Sequence, residues 1–142
     1  MKRHAVGIVA GLIAGFFCVV LIEAIASVLY PPPEDLNLSD RDALRAFIAD
    51  LPPSAFLIVL AAHALGSVVA GAVYTLIAGQ NSYLGGLIVG GVLFCAGILN
   101  LLAVPHPFWF AAIDIFMYVP AVFVGCLLAG KFLALRAKEP AT

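Results

Sequence analysis

Glu23, His63, Asn100 and Asp114 are the residues best placed to do chemistry, because each interrupts a long apolar run. Glu23, His63 and Asp114 can each hold or release a proton, and Asn100 both donates and accepts hydrogen bonds. An ionisable side chain inside a membrane costs about 2.5–3.5 kcal/mol on insertion scales, so such groups face the protein interior and pair. Counted from the polar ends of their runs at about 1.5 Å per residue, Glu23 and Asp114 lie about 10 Å deep, Asn100 about 8 Å and His63 about 13 Å. In an apolar layer roughly 30 Å thick, all of them fall in the same half. Ser27, Ser67 and Tyr118 stand one helical turn from Glu23, His63 and Asp114 and extend the same faces. His106, between Pro105 and Pro107, is a further supporting residue.

Such a cluster admits three chemistries. Hydrogen bonds between helices would fix their register, each adding about 1 kcal/mol. A small-molecule or proton-linked site would open outward. Two carboxylates and a histidine would hold a metal, but no H-x-x-x-H or E-x-x-H spacing supports this. No metal ligand, cofactor or catalytic residue is assigned. Beyond the cluster the runs are almost wholly apolar, with Tyr74 and Thr75 as the clear exceptions near the other membrane face. A conduit needs polar groups along its whole length or a large rearrangement, so a pocket with an apolar floor is expected instead of a channel.

The elements that must position these residues follow from composition. Of 142 residues, 64% are hydrophobic and 11% charged. A soluble domain is usually about 45–50% apolar and about 25% charged, so lipid must be the solvent for most of this chain. The formal net charge of −1 offers no basic footprint for nucleic acid. An all-α polytopic bundle is expected over residues 1–142 as one transmembrane domain, with spans at about 5–30, 54–78, 83–104 and 108–135. Proline breaks bound them at Pro31-Pro32-Pro33, Pro52-Pro53 and Pro105-His106-Pro107. Pro120 is expected to kink the last span.

Lys2 and Arg3 precede the first span, and Lys131, Arg136 and Lys138 end or follow the last. The 31–53 loop is acidic, with Glu34, Asp35, Asp40, Asp42 and Asp50 against Arg41 and Arg45. The positive-inside rule puts both termini in the cytoplasm and this loop outside. Tyr30, Phe108, Trp109 and Phe110 mark the outer boundary. Ala24-Ile25-Ala26 before Ser27 has the look of a signal-peptide cleavage site, but the apolar stretch is long for one and Glu23 sits beside it. The segment is therefore read as a span.

Within the loop, Leu44, Phe47, Ile48 and Leu51 form one apolar stripe at helical spacing. A short amphipathic helix is expected, with Ser39 as its N-cap and Asp42 in the first turn. It would lie on the membrane face or on the mouth of the bundle, as a connector in preference to a lid. Gly7, Gly11 and Gly15, and Gly86 and Gly90, repeat every four residues, which lets helix backbones approach closely in lipid. Packing within the protomer is expected over packing against a second copy. Cys18, Cys95 and Cys126 all lie in apolar runs and read as small buried hydrophobes.

Glu23 in the first of four spans is similar to the small multidrug resistance transporters, from which the long acidic loop, His63 and Asp114 depart. Four spans also resemble the quinone-linked disulfide oxidases, but the loops lack the cysteines of that chemistry. Over most of its length the chain resembles small bacterial four-span proteins, through Glu23, Tyr30-Pro31-Pro32-Pro33, His63-Ala64-Leu65-Gly66 and Asn100 followed by His106-Pro107-Phe108-Trp109. That resemblance implies a fold and no activity. The expected role is a non-catalytic binding or accessory module in the bilayer, with a protein partner or a second copy. The rival is a small proton-coupled transporter acting as a homo-oligomer, and a metal-dependent membrane enzyme stands third.

Overall fold

The computed structural model describes residues 1–37, 39–79 and 82–138. Among these it is all-helical: α1 Lys2–Leu29, α2 Arg41–Asp50, α3 Pro53–Ala78, α4 Tyr83–Ala103 and α5 Phe108–Arg136. α1, α3, α4 and α5 are each long and apolar enough to cross a membrane. The sequence Gly79-Gln80-Asn81-Ser82 predicts a tight turn between the second and third spans, and its central Gln80-Asn81 lies outside the described residues.

Local chemistry explains the element ends. Pro53 opens α3 at a position where its missing N–H goes unused. Gly79 closes the same helix at φ 74, a left-handed conformation that glycine adopts without a Cβ penalty. Ser82 caps α4 by accepting from the Gly85 N–H. α5 continues helically through Pro120. The N-cap of α2 is Asp40, not Ser39. One Asp40 carboxylate oxygen takes the N–H groups of Asp42 and Ala43, at 3.0 and 3.2 Å. The Ser39 N–H is instead bound to Asn37 Oδ1. An ionised carboxylate is the stronger acceptor, and it suits the positive end of the helix dipole.

α3 is the middle helix, with α1 on one flank and α5 on the other, while α4 packs chiefly on α5. The glycines set these contacts. A Cβ at Gly7 would lie 2.9 Å from Tyr74 O, and one at Gly15 would lie 2.7 Å from Gly66 O. Gly11 likewise faces Ala70 O, so the glycine stripe of α1 is filled by α3 of the same chain. Gly71 of α3 lies against the Val122 carbonyl of α5, and Gly125 of α5 against the Val68 carbonyl of α3. Each glycine removes the side chain that would hold the backbones apart. On α4, Gly86 faces Phe123 and Cys126, and Gly90 faces Val119.

The loop helix α2 lies across one end of the bundle, here the loop end; the termini mark the other. Its stripe of Leu44, Phe47, Ile48 and Leu51 packs on Phe56, Leu60 and Phe110. The Tyr30 hydroxyl and Ser54 Oγ, 2.8 Å apart, tie the end of α1 to the start of α3 at the same level.

Candidate functional site

The central place of α3 decides the geometry of the polar cluster. His63 is 6% exposed and faces both neighbouring helices. Its Nε2 lies 3.4 Å from Glu23 Oε1 of α1, and its Nδ1 lies 2.7 Å from Asp114 Oδ1 of α5. Both ring nitrogens therefore meet carboxylate oxygens, the arrangement in which an imidazolium donates to two anions at once. The Tyr118 hydroxyl donates to Asp114 Oδ2 at 3.0 Å, and its oxygen stands 3.0 Å from His63 Nδ1. The His63 and Tyr118 rings lie 5.6 Å apart. Three helices are thus joined through one chain of polar contacts.

The two ends of that chain differ. Asp114 is fully buried, with each carboxylate oxygen accepting one contact. The Glu23 side chain is 42% exposed, and among the described residues its carboxylate is paired with His63 alone. A carboxylate half uncovered at this apolar depth is unfavourable without a further partner. With all three groups ionised, the network carries one net negative charge.

The other sequence-derived residues are placed as follows. Asn100 is half-buried on α4, and among the described residues no hydrogen bond joins its side chain to the network. A Cβ added at Gly97, one turn before Asn100, would fall on the Tyr118 ring, so this part of α4 lies against the network through that ring. Ser27 is exposed and donates to Ala24 O of its own helix at 2.8 Å, so it adds nothing to the Glu23 face. Ser67 is 1% exposed, one turn from His63 toward the terminal end. His106 stands apart from the network. Its Nδ1 is 2.9 Å from Val104 O, and its ring stacks on Phe110 at 4.4 Å. Burial among these groups holds its imidazole below the ordinary histidine range.

Between the network and the loop end lies a cavity of about 260 Å³. Its walls include Ser27, Tyr30, Phe47, Ile48, Val59 and His106. Ser27 is one turn from Glu23 and Val59 one turn from His63, so the cavity abuts the network. On the other side, the Gly71–Val122 and Gly125–Val68 crossings bring α3 and α5 into direct backbone contact. Val122 and Cys126 are fully buried there. The site has a wall of packed backbone on its terminal side.

A second polar contact was not expected from the sequence. His4 Nδ1 lies 2.9 Å from the hydroxyl of the fully buried Tyr74. α1 and α3 run antiparallel, so the start of one meets the end of the other; that pairing was the signal available for it. Thr75 Oγ1, next to Tyr74, is buried without a hydrogen-bond partner among the described residues. No three His, Cys, Asp or Glu side chains among the described residues are set to share one metal ion. The family models, curated proteins and solved structures compared with this chain contain no match to it.

Proposed function

We propose that the chain is a small multi-pass protein of a bacterial inner membrane that acts as a non-catalytic binding or accessory module. Its termini are cytoplasmic and its 31–53 loop is external, following the distribution of basic and acidic residues. The site is the Glu23–His63–Asp114–Tyr118 network. One observation carries this reading: a sealed carboxylate at one end of the network and a half-exposed one at the other. Glu23 meets a partner molecule or protein, while Asp114 and Tyr118 hold His63 in the orientation that presents it to Glu23. The adjoining cavity gives a bound group space, and the packed α3–α5 crossing lies beyond it.

The second reading is a small proton-coupled transporter working as a homo-oligomer. The observation that favours it is the run of three proton-exchanging groups in contact, with Glu23 left for a second copy to cover.

Glu23→Gln and Asp114→Asn separate these roles, because an amide keeps donors and acceptors but cannot ionise. The variants are to be tested for complementation of a deletion strain across pH and, purified, for proton-coupled flux in proteoliposomes. The binding reading expects folded variants, no flux with any form, and loss of pH-dependent complementation in Glu23→Gln. Flux by the wild type that Glu23→Gln abolishes supports the transporter instead. Full complementation by both variants at every pH refutes a functional role for the network.

A further inference from the structure

Arg41 and Arg45 stand one turn apart on α2, at the loop end, away from the His63 network. The Arg41 Nη2 donates to Leu102 O at 3.1 Å. Leu102 belongs to the last turn of α4, where carbonyls lack helical partners and the helix dipole is negative. That bond uses one of the five guanidinium N–H donors. Among the described residues neither arginine is paired with a carboxylate. Arg41, Asp42 and Arg45 close over Leu101, Leu102 and Pro105 to form a cleft of about 350 Å³. Arg45 also borders a second cleft, of about 440 Å³, that reaches Trp109. The cleft therefore has a charged rim ordered cation, anion, cation and an apolar floor. Beside it α4 exposes Leu99 and Leu102.

Depth supplies the occupant. The cleft sits where α4 ends and α5 begins, so in a bilayer it lies at the headgroup level, with Trp109 as an interfacial anchor. Phosphodiesters and headgroup amines are concentrated there. Guanidinium forks bind phosphate oxygens through several parallel N–H bonds. A free phosphate dianion would meet the Asp42 carboxylate and gain nothing from the leucine floor. We infer that this cleft binds a phospholipid whose headgroup carries both a phosphodiester and a primary ammonium. The phosphate lies between Arg41 and Arg45, the ammonium meets Asp42, and an acyl chain follows Leu99 and Leu102 along α4. This inference rests on the chain crossing a bilayer, and is independent of the role of Glu23.

The test uses the full chain in nanodiscs and in detergent, with retained lipid measured by native mass spectrometry. Phosphatidylethanolamine, phosphatidylglycerol and phosphatidylcholine are offered in equal amounts, with soluble phosphoethanolamine and inorganic phosphate as competitors. The expected order places phosphatidylethanolamine first, since phosphatidylglycerol has no ammonium and the choline group has no N–H to donate. The double variant Arg41→Gln, Arg45→Gln should lose about tenfold in retention, the scale of one or two charge-assisted bonds. Asp42→Asn should keep phosphate-dependent retention and lose the preference over phosphatidylglycerol. Arg41→Lys with Arg45→Lys, which keeps charge, should restore part of the retention and show that α2 still folds. Equal retention of the three lipids, or retention unchanged in the Arg-to-Gln variant, overturns the inference. Displacement by phosphoethanolamine or phosphate at the lipid's own concentration also overturns it, by showing that the lipid is not the source.

Discussion

His63 Nδ1 lies 2.7 Å from Asp114 Oδ1 across the α3–α5 interface, with Asp114 fully buried. The same interface brings Gly71 against Val122, so the polar pair and the closest backbone crossing share one parallel register. Asp114 is held by packing as well as by its own hydrogen bonds. Asp114→Ala should therefore strand a buried imidazole beside a half-exposed carboxylate and cost about 3–5 kcal/mol. Asp114→Asn and Tyr118→Phe should each cost about 1 kcal/mol, the scale of a hydrogen bond between membrane helices. Thermal unfolding in a mild detergent distinguishes them. Equal, small losses in all of these variants would show that the pair does not hold α3 to α5.

The glycine crossings make a sharper stability contrast. Gly71→Ala and Gly125→Ala place a methyl group on the carbonyls of Val122 and Val68. Overpacking of this kind costs about 1–3 kcal/mol, and here the obstacle is backbone that cannot rotate away. Gly91 has nothing within 4 Å of an added Cβ. Gly91→Ala should leave the bundle intact and gain helix propensity of about 0.8–1 kcal/mol. Melting temperatures of the purified variants should thus separate into a lowered pair and an unchanged or raised single.

His106 gives the loop end a pH dependence. Burial lowers its folded-state affinity for protons below that of the unfolded chain. The neutral ring is the form the fold favours, so its contribution is complete above the unfolded value of about 6.5. It is lost as pH falls from there through the lower folded value. His106→Phe keeps a ring to stack on Phe110 but cannot titrate. Melting curves between pH 8 and pH 5, bounds set about the ordinary histidine range, should fall less steeply for His106→Phe than for the wild type. Identical slopes would remove His106 from the account.

Topology is tested with reporter fusions. A fusion after Asp40 should report as external and one at the C-terminus as cytoplasmic, from the basic residues at both ends of the chain. A cytoplasmic signal from the 31–53 loop would invert the orientation of the site.

Depth was legible in the sequence, and direction was not. Proline breaks and run lengths locate residues along each span, so the common level of Glu23, His63 and Asp114 could be counted. Azimuth around a helix depends on which neighbour it packs against, and no residue pattern marked α3 as the central helix. Asn100 shares the level, yet among the described residues no hydrogen bond joins its side chain to the three, while Gly97, one turn earlier, packs on Tyr118. Ser27 has the correct spacing, but a hydroxyl on a helix can be satisfied by its own backbone, as here by Ala24 O. The loop helix was legible from its stripe, while its cap was misread because Ser39 and Asp40 are both good caps and only the backbone path chooses between them. The His4–Tyr74 contact required knowing that α1 and α3 are antiparallel neighbours.

Glu23 is the open end of the network and Asp114 the sealed end. A lipid-soluble carbodiimide tests it directly, because it modifies protonated carboxyl groups that it can reach from the bilayer. The protein is treated in liposomes over a pH series, and adducts are located by mass spectrometry of peptides. An adduct should form on Glu23 and be absent in Glu23→Gln, with Asp114 unmodified until the bundle is unfolded. Modification of Asp114 in the folded protein, or of neither residue at any pH, would contradict it.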